Sequence, residues 1–411
     1  MTVAISGRHD TLLVALLILL AVLAWLTGCG ASGVEDRPSQ TGNAAQVTDP
    51  APEASADSDL TSTAVTSWPL FRGDPQATGV AADELSPPLD VLWTFSTEDD
   101  TFETSAAIAD GTVFAGSLGG NLYAINLADG KEKWSFFSKL GFTAAPAVRN
   151  GFVFIGDADG RFYALDAGTG KLQWQFDTEG EISSCANFHD QNVLLTSQDG
   201  HLYCLAADSG KLVWKYESGD QIRSFPTTAG GHTFVAGCDG RLHVVELGEG
   251  KAVGYVELDG PTGCTAALQG TMAYVGTEGG SFLGIDWRKR VVAWTYQNTK
   301  RSTSFRASAA VTPARVLVGA RDKQVHCLDP VTGDEQWAFA TQGQVDSSAV
   351  IAGKYAFVGS GDGRVYAIDV ETGQEAWRYE AGGHIVASPA IAAGRLVIGT
   401  DAGDLYCFGS R

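Results

Sequence analysis

Seven tryptophans, Trp93, Trp134, Trp174, Trp214, Trp294, Trp337 and Trp377, recur along the chain at intervals of 41, 40, 40, 80, 43 and 40 residues. The interval of 80 is two steps with one rung changed to Gly254. Self-similarity at a period of roughly 40 to 45 residues marks a repeat whose unit, a four-stranded blade, buries its faces only by stacking on its neighbours. Eight rungs predict an all-β, eight-bladed β-propeller of four-stranded antiparallel blades. That architecture hosts catalysis, ligand binding and scaffolding alike, so function has to be argued from particular residues.

One repeat shows why the chain turns where it does. In Phe142–Phe176, Ala144–Val148 is a small-residue strand suited to the crowded axis, and Asn150-Gly151 turns the chain. Phe152–Gly156 is a β-branched and aromatic run, Asp159-Gly160 is a tight hairpin signal, and Arg161–Asp166 is the third strand. Thr169-Gly170 turns again before Lys171–Phe176, the outer strand. The last unit, Ile385–Phe408, lacks an outer strand of its own, while Val91–Phe95 stands alone before the first complete unit. The N-terminal strand is therefore expected to complete the last blade and close the ring, which leaves no open end to aggregate.

The ends and the composition set further bounds. Residues 1–28 read as an export signal: Arg8 and His9 lead an apolar run, Leu12–Leu26, shorter than a spanning helix needs. Leu26-Thr27-Gly28-Cys29 resembles a bacterial lipobox, which makes Cys29 the expected lipidated N-terminus, and Gly30 after it points to the outer membrane. Residues 29–67, rich in Ala, Ser, Thr, Asp, Pro and Gly, read as a disordered tether to the propeller at 68–411. A formal net charge of −20 disfavours nucleic acid and an anionic membrane surface as partners, leaving the lipid as the membrane attachment. Cys204, Cys327 and Cys407 fall where other repeats carry Ala124, Ala164 and Ala367, so mostly free thiols are expected, with Cys185 and Cys264 on first strands.

Ala164–Trp174, with the run Asp166-Ala167-Gly168-Thr169-Gly170-Lys171, resembles the tryptophan-docking motif of the quinoprotein-type, or PQQ-like, repeat family. Matches recur at Ala124–Trp134, Cys204–Trp214, Cys327–Trp337 and Ala367–Trp377. The resemblance implies that each indole packs between blades against a close turn glycine. It departs at Gly254 and at Arg288-Lys289-Arg290, which puts two adjacent interblade contacts in question. Trp68–Asp74 is similar to a leader segment of such proteins and is expected to cap or brace the ring, with Arg72 structural rather than functional.

Two activities occur in that family: quinoprotein dehydrogenases hold PQQ and Ca²⁺ on the axis, and BamB-type lipoproteins use a catalytically empty ring in outer-membrane protein assembly. The dehydrogenases' adjacent bonded cysteines have no counterpart here, where Cys185 and Cys204 are the closest pair after Cys29. No Glu, Asn and Asp set for calcium, no close His pair for another metal and no nucleophile motif is found. His243 and His326, on third strands, read as packed residues.

Aligned repeats place Glu103, Thr143, Ser183, Arg223, Gly263, Arg306, Asp346 and Val386 at one register, where the axial tunnel opens. Arg306 and Asp346 are expected to pair, which leaves Arg223 as the best contact for an anionic ligand or partner. The expectation is therefore a catalytically inactive, monomeric, lipid-anchored scaffold without cofactor, partnered by envelope proteins such as the outer-membrane assembly machinery. A PQQ-binding oxidoreductase or small-ligand sensor is the alternative. Blades four and five, where the motif departs, are the first place to look for a partner.

Overall fold

The computed structural model of the protein describes residues 67–98, 100–301 and 303–410. The export signal, Cys29 and the tether up to residue 66 lie outside the described residues. Thirty-two strands form eight separate four-stranded sheets, with every neighbouring pair antiparallel. Blade 1 is Ala107–Ala109, Thr112–Gly116, Asn121–Asn126 and Glu132–Phe137, and blades 2 to 7 repeat that order. In blade 8 the order is Asp90–Ser96, Asp404–Gly409, Arg395–Gly399 and Ala390–Ala392, so the N-terminal strand is its outer member. Trp93 sits opposite Cys407 in that closing pair.

Burial follows strand position. Second strands such as Thr112–Gly116 and Val316–Ala320 are buried along their whole length, whereas outer strands alternate exposed and half-buried residues. Each large apolar side chain enclosed between blades, such as Phe154 or Phe282, contributes roughly 1.5–3 kcal/mol. The innermost strands are shorter than the sequence suggests: Ala147–Arg149 replaces the expected Ala144–Val148. Near the axis the blades are closest, and the residues before these strands bond across blades instead. Ser388, Ser348, Ser308, Thr265 and Phe225 each donate a backbone N–H to the hydroxyl of Ser105, Ser388, Ser348, Ser308 and Thr265 respectively. Cys185 and Cys264 lie in this segment, ahead of their strands, and with Cys204, Cys327 and Cys407 they are free and buried.

The tryptophans act as rivets. Trp93, Trp134, Trp174, Trp214, Trp294 and Trp337 each donate Nε1–H to a carbonyl of the next blade, those of Leu127, Ala167, Ala207, Leu247, Pro330 and Val370, at 2.8–3.1 Å. A turn glycine lies on each of these indoles; at Gly170, with φ +70°, a Cβ would fall 2.6 Å from the Trp134 ring. Trp377 packs edge-on against Phe408, because blade 8 gets its outer strand from the chain's beginning and has no turn at that point.

The leader, Trp68–Asp83, crosses all eight blades in chain order at one end of the axis. Trp68 exchanges backbone hydrogen bonds with Ile108 in blade 1, and Pro69 accepts from Val148 in blade 2. Asn187 in blade 3 donates its side-chain amide to Pro75, which also accepts from Thr228 in blade 4. Gln76, Thr78 and Gly79 accept from Leu268, Val311 and Ile351 in blades 5, 6 and 7, and Asp83 accepts from Gly394 in blade 8. Arg72 is the bolt of this strap. Its guanidinium, 1% exposed, donates to the carbonyls of Ser348 at 3.0 Å, Ala309 at 2.9 Å and Ala349 at 2.5 Å. Burial lowers its pKa to about 9, with Asp74 acting in the opposite direction.

Candidate functional site

With the leader across one end, the accessible end of the axis is the one where the inner strands begin. There the charged register residues of blades 6 and 7 meet the loop that follows the second strand of the preceding blade. Arg306, at the start of blade 6, pairs with Glu278 of blade 5, Nε to Oε1 at 2.8 Å. Asp346, at the start of blade 7, accepts a two-pronged contact from Arg321 of blade 6 at 3.0 and 2.7 Å. The expected Arg306–Asp346 pair is thus corrected, because cross-blade neighbours at the mouth come from different registers. Reading the loop register Leu118, Ala158, Gln198, Cys238, Glu278, Arg321, Gly361, Asp401 beside the first would have shown both partners.

The same geometry sets the other charges. Glu103 of blade 1 faces Asp401 of blade 8; burial first, then that like charge, raises the Glu103 pKa, partly offset by His384. Thr143 donates to Glu181 at 2.7 Å, and Gln198 donates to Ser183 at 3.2 Å. Arg223 differs from its two counterparts: its Nη2 reaches only the amide oxygens of Gln198 at 3.4 Å and Gln221 at 3.1 Å. Its Nε is buried without an acceptor among the described residues. Beside it Gly263 contributes no side chain, and a Cβ there would have only Arg223 Cβ within 4 Å, so the mouth is recessed at this point. Glu181, Asp401, Glu278 and Asp346 each accept a bond from a neighbouring group, and among the described residues no group of three or more His, Cys, Asp or Glu is arranged to hold a metal ion.

His243 and His326 are packed residues, as their strand positions suggest. Each replaces a tyrosine that in other blades donates to the hairpin aspartate, as Tyr203 does to Asp199 and Tyr366 to Asp362. His326 Nε2 faces Asp322 at 3.1 Å and its Nδ1 faces Glu335 at 2.8 Å, with Tyr296 hydroxyl 3.1 Å away across the seam from blade 5. Burial opposes the charged imidazole, but the two carboxylates outweigh it and raise its pKa. The arrangement is an interblade clamp in which the imidazole is enclosed and only the Glu335 end reaches the surface.

The seam between blades 4 and 5 departs from the pattern, and the two irregularities of the sequence meet there. Arg290 stands where other blades have the turn glycine, at φ +57°, and its stem lies over Gly254, where the indole would be. Its Nη1 donates to the carbonyl of Val253 at 3.3 Å. Trp287, at the turn position filled elsewhere by Leu127, Ala167 and Leu247, packs edge-on against Phe234 at 5.0 Å and donates to Gly270. Only one interblade contact is therefore altered, since Trp294 docks normally on Pro330 and Gly333. The sequence signal of this replacement rivet is an extra tryptophan at a register that holds Leu, Ala, Pro or Val in the other blades.

The model of the family described as outer membrane protein assembly factor BamB matches residues 90–187, 182–253, 198–337 and 321–409, and the chain belongs to that family. No curated protein matches it significantly. BamB from Moraxella catarrhalis superposes with a TM-score of 0.68 at 18% identity, covering 78% of this chain and all of the other. A computationally designed protein, Ika8, gives 0.68 at 17% identity over 80% of this chain and all of its own. Quinohemoprotein alcohol dehydrogenase ADHIIG from Pseudomonas putida HK5 gives 0.68 at 14%, over 84% of this chain and 80% of its own. At these identities the structural likeness establishes the fold alone, and it spans enzymes and non-enzymes.

Proposed function

From that membership we propose that the chain is a catalytically inactive, lipid-anchored interaction scaffold of the cell envelope that assists outer-membrane protein assembly. The observation that carries this reading is the pairing at the mouth: Arg306 with Glu278 and Arg321 with Asp346. These pairs tie up two of the three arginines at the mouth and leave a trianionic quinone only Arg223, while among the described residues no three carboxylate, His or Cys groups gather to supply a calcium ion with its six to eight oxygens. The donor set therefore does not fit PQQ with Ca²⁺, and we derive no redox step through it. A rigid ring with loop-covered faces is suited instead to holding protein partners.

Within this reading Arg223 is the contact for a partner's carboxylate, with Glu103, Arg306 and Asp346 shaping the rest of the mouth. Cys29 carries the lipid at the periplasmic face of the outer membrane. One chain closes the whole ring, and on this reading it works as a single propeller that needs neither cofactor nor nucleic acid. The test is isolation of the full chain from detergent-solubilised envelopes. Recovery of outer-membrane assembly subunits in comparable amounts is expected, together with no retention of PQQ and Ca²⁺ in equilibrium dialysis. Stoichiometric quinone binding without any envelope partner would overturn the proposal.

A further inference from the structure

All the outer strands share one irregularity, a bulge that sets two residues against one, as between Ala164 and Leu165 in blade 2 and between Gly284 and Ile285 in blade 5. Bulges twist an edge and push its side chains outward, which ordinarily protects an exposed edge from pairing. What those side chains are differs around the rim. On blade 6 the outer strand begins at Glu335, flanked by Asp334 and Gln336, and on blade 7 at Glu375, preceded by Gln374, all exposed. Blades 1 and 2 each expose a single large apolar residue on the outer strand, Phe137 and Leu172, whereas blades 3, 4 and 5 each expose two, Leu212 and Val213, Val253 and Tyr255, and Val291 and Val292, these six all 39–50% accessible. Exposed cations flank these residues: Lys211 and Lys215, Lys251, then Arg288, Lys289 and Arg290. On a chain of net charge −20, an arc both apolar and basic stands out against its own background.

Its centre is the altered seam. Elsewhere a rigid indole fills the gap between outer strand and next turn; here the flexible, exposed Arg290 stem covers Gly254 and holds on by one 3.3 Å hydrogen bond to Val253. Lys251 and Lys289 are engaged only in exposed pairs with Glu249 and Asp286, and such pairs are weak enough to be exchanged. A carboxylate paired with Arg290 would compete with that single bond to Val253, and displacing the stem would leave Gly254 open to an apolar side chain. Anchor residues seated in a central pocket with charged groups at the rim are how protein interfaces concentrate their binding energy.

We propose that the rim of blades 3–5 is a docking surface for a protein segment in which apolar residues alternate with acidic ones, its apolar anchor entering at Gly254 and its carboxylates meeting Arg288 and Arg290. A bilayer is the disfavoured occupant, because the arc curves around a convex rim and its slot accepts a single side chain, which a planar surface does not supply. The inference rests on the scaffold reading, but the two fail separately: recovery of the assembly machinery tests the role, and the assay below tests the rim alone.

The experiment uses the full chain and a fluorescein-labelled peptide of alternating Leu and Asp, followed by anisotropy, with an alternating Leu and Lys peptide and phosphatidylglycerol vesicles as the other probes. Saturable binding of the Leu/Asp peptide is expected, weakened about tenfold by the exposed reversal Arg288→Glu with Arg290→Glu and by Val253→Ser with Tyr255→Ser. Glu371→Lys with Glu375→Lys, on the acidic side of the rim, leaves it unchanged. An unchanged thermal transition confirms that each variant is folded. Absence of binding, equal binding of the Leu/Lys peptide, insensitivity to both rim variants, or retention by vesicles in place of the peptide would each overturn the proposal.

Discussion

Replacing Arg72 by Met tests whether the leader is locked to the ring by its guanidinium. The substitution removes hydrogen bonds to three buried carbonyls, those of Ala309, Ser348 and Ala349, and leaves them without a donor. An orphaned buried acceptor costs about 1–3 kcal/mol, so the sum would reach about 3–9 kcal/mol if the strap stayed in place. Peeling of the leader limits the loss by rehydrating those carbonyls, and about 4 kcal/mol is the working value. A ring of this size has an unfolding entropy of about 0.7 kcal/mol/K near its midpoint, so the transition should fall by roughly 6 °C. Differential scanning calorimetry measures that shift. Amide exchange locates it, because Val148, Thr228, Leu268, Val311 and Ile351 donate to leader carbonyls and should lose protection together. Arg72→Lys keeps the charge but not the planar fork and should fall between wild type and Met. A shift below about 1 °C with those five amides still protected would refute the lock.

Gly79→Ala should mimic that loss, because its φ is +66° and a Cβ would fall on the Arg72 guanidinium; the same calorimetry decides. Trp294→Ala should cost about 3–5 kcal/mol in denaturant unfolding and Trp377→Ala clearly less, since Trp377 has neither the turn glycine nor the indole hydrogen bond of its counterparts. The His326 pKa is raised in the fold, so its contribution is complete below the ordinary value of about 6.5 and is lost as pH rises through the folded value. Chemical denaturation of His326→Gln and wild type should therefore converge in stability above that range; a constant difference from pH 6 to 9 would contradict the clamp. Cys29→Ser should release the chain from the membrane fraction, and unchanged sedimentation with membranes would refute the lipid anchor.

How much of this was legible beforehand depended on whether a feature repeats. The ladder of indoles, the hairpin signals and the orphan strand around Trp93 are periodic or complementary features, and each appears in the ring where its register puts it. The leader could be read as a brace from Trp68–Asp74, but its circuit of eight blades could not, because its hydrogen bonds run through backbone carbonyls that carry no residue identity. At the mouth the register of Glu103, Arg223, Arg306 and Asp346 was correct as an alignment and misleading as a list of neighbours. Arg306 and Asp346 each meet a loop residue of the preceding blade, a contact between registers and not within one. Gly254 and Arg290 looked like two faults and are one compensated seam, because in a ring the end of one repeat is packed on the turn of the next.

The most direct measurement of the scaffold's role is the outer-membrane protein content of cells lacking the chain, compared with cells re-expressing it. Quantitative proteomics of purified outer membranes should show a reduced density of β-barrel proteins, restored by the wild-type chain and not by Cys29→Ser. Unchanged β-barrel content in the deletion, with loss of a quinone-dependent dehydrogenase activity in its place, would contradict the account.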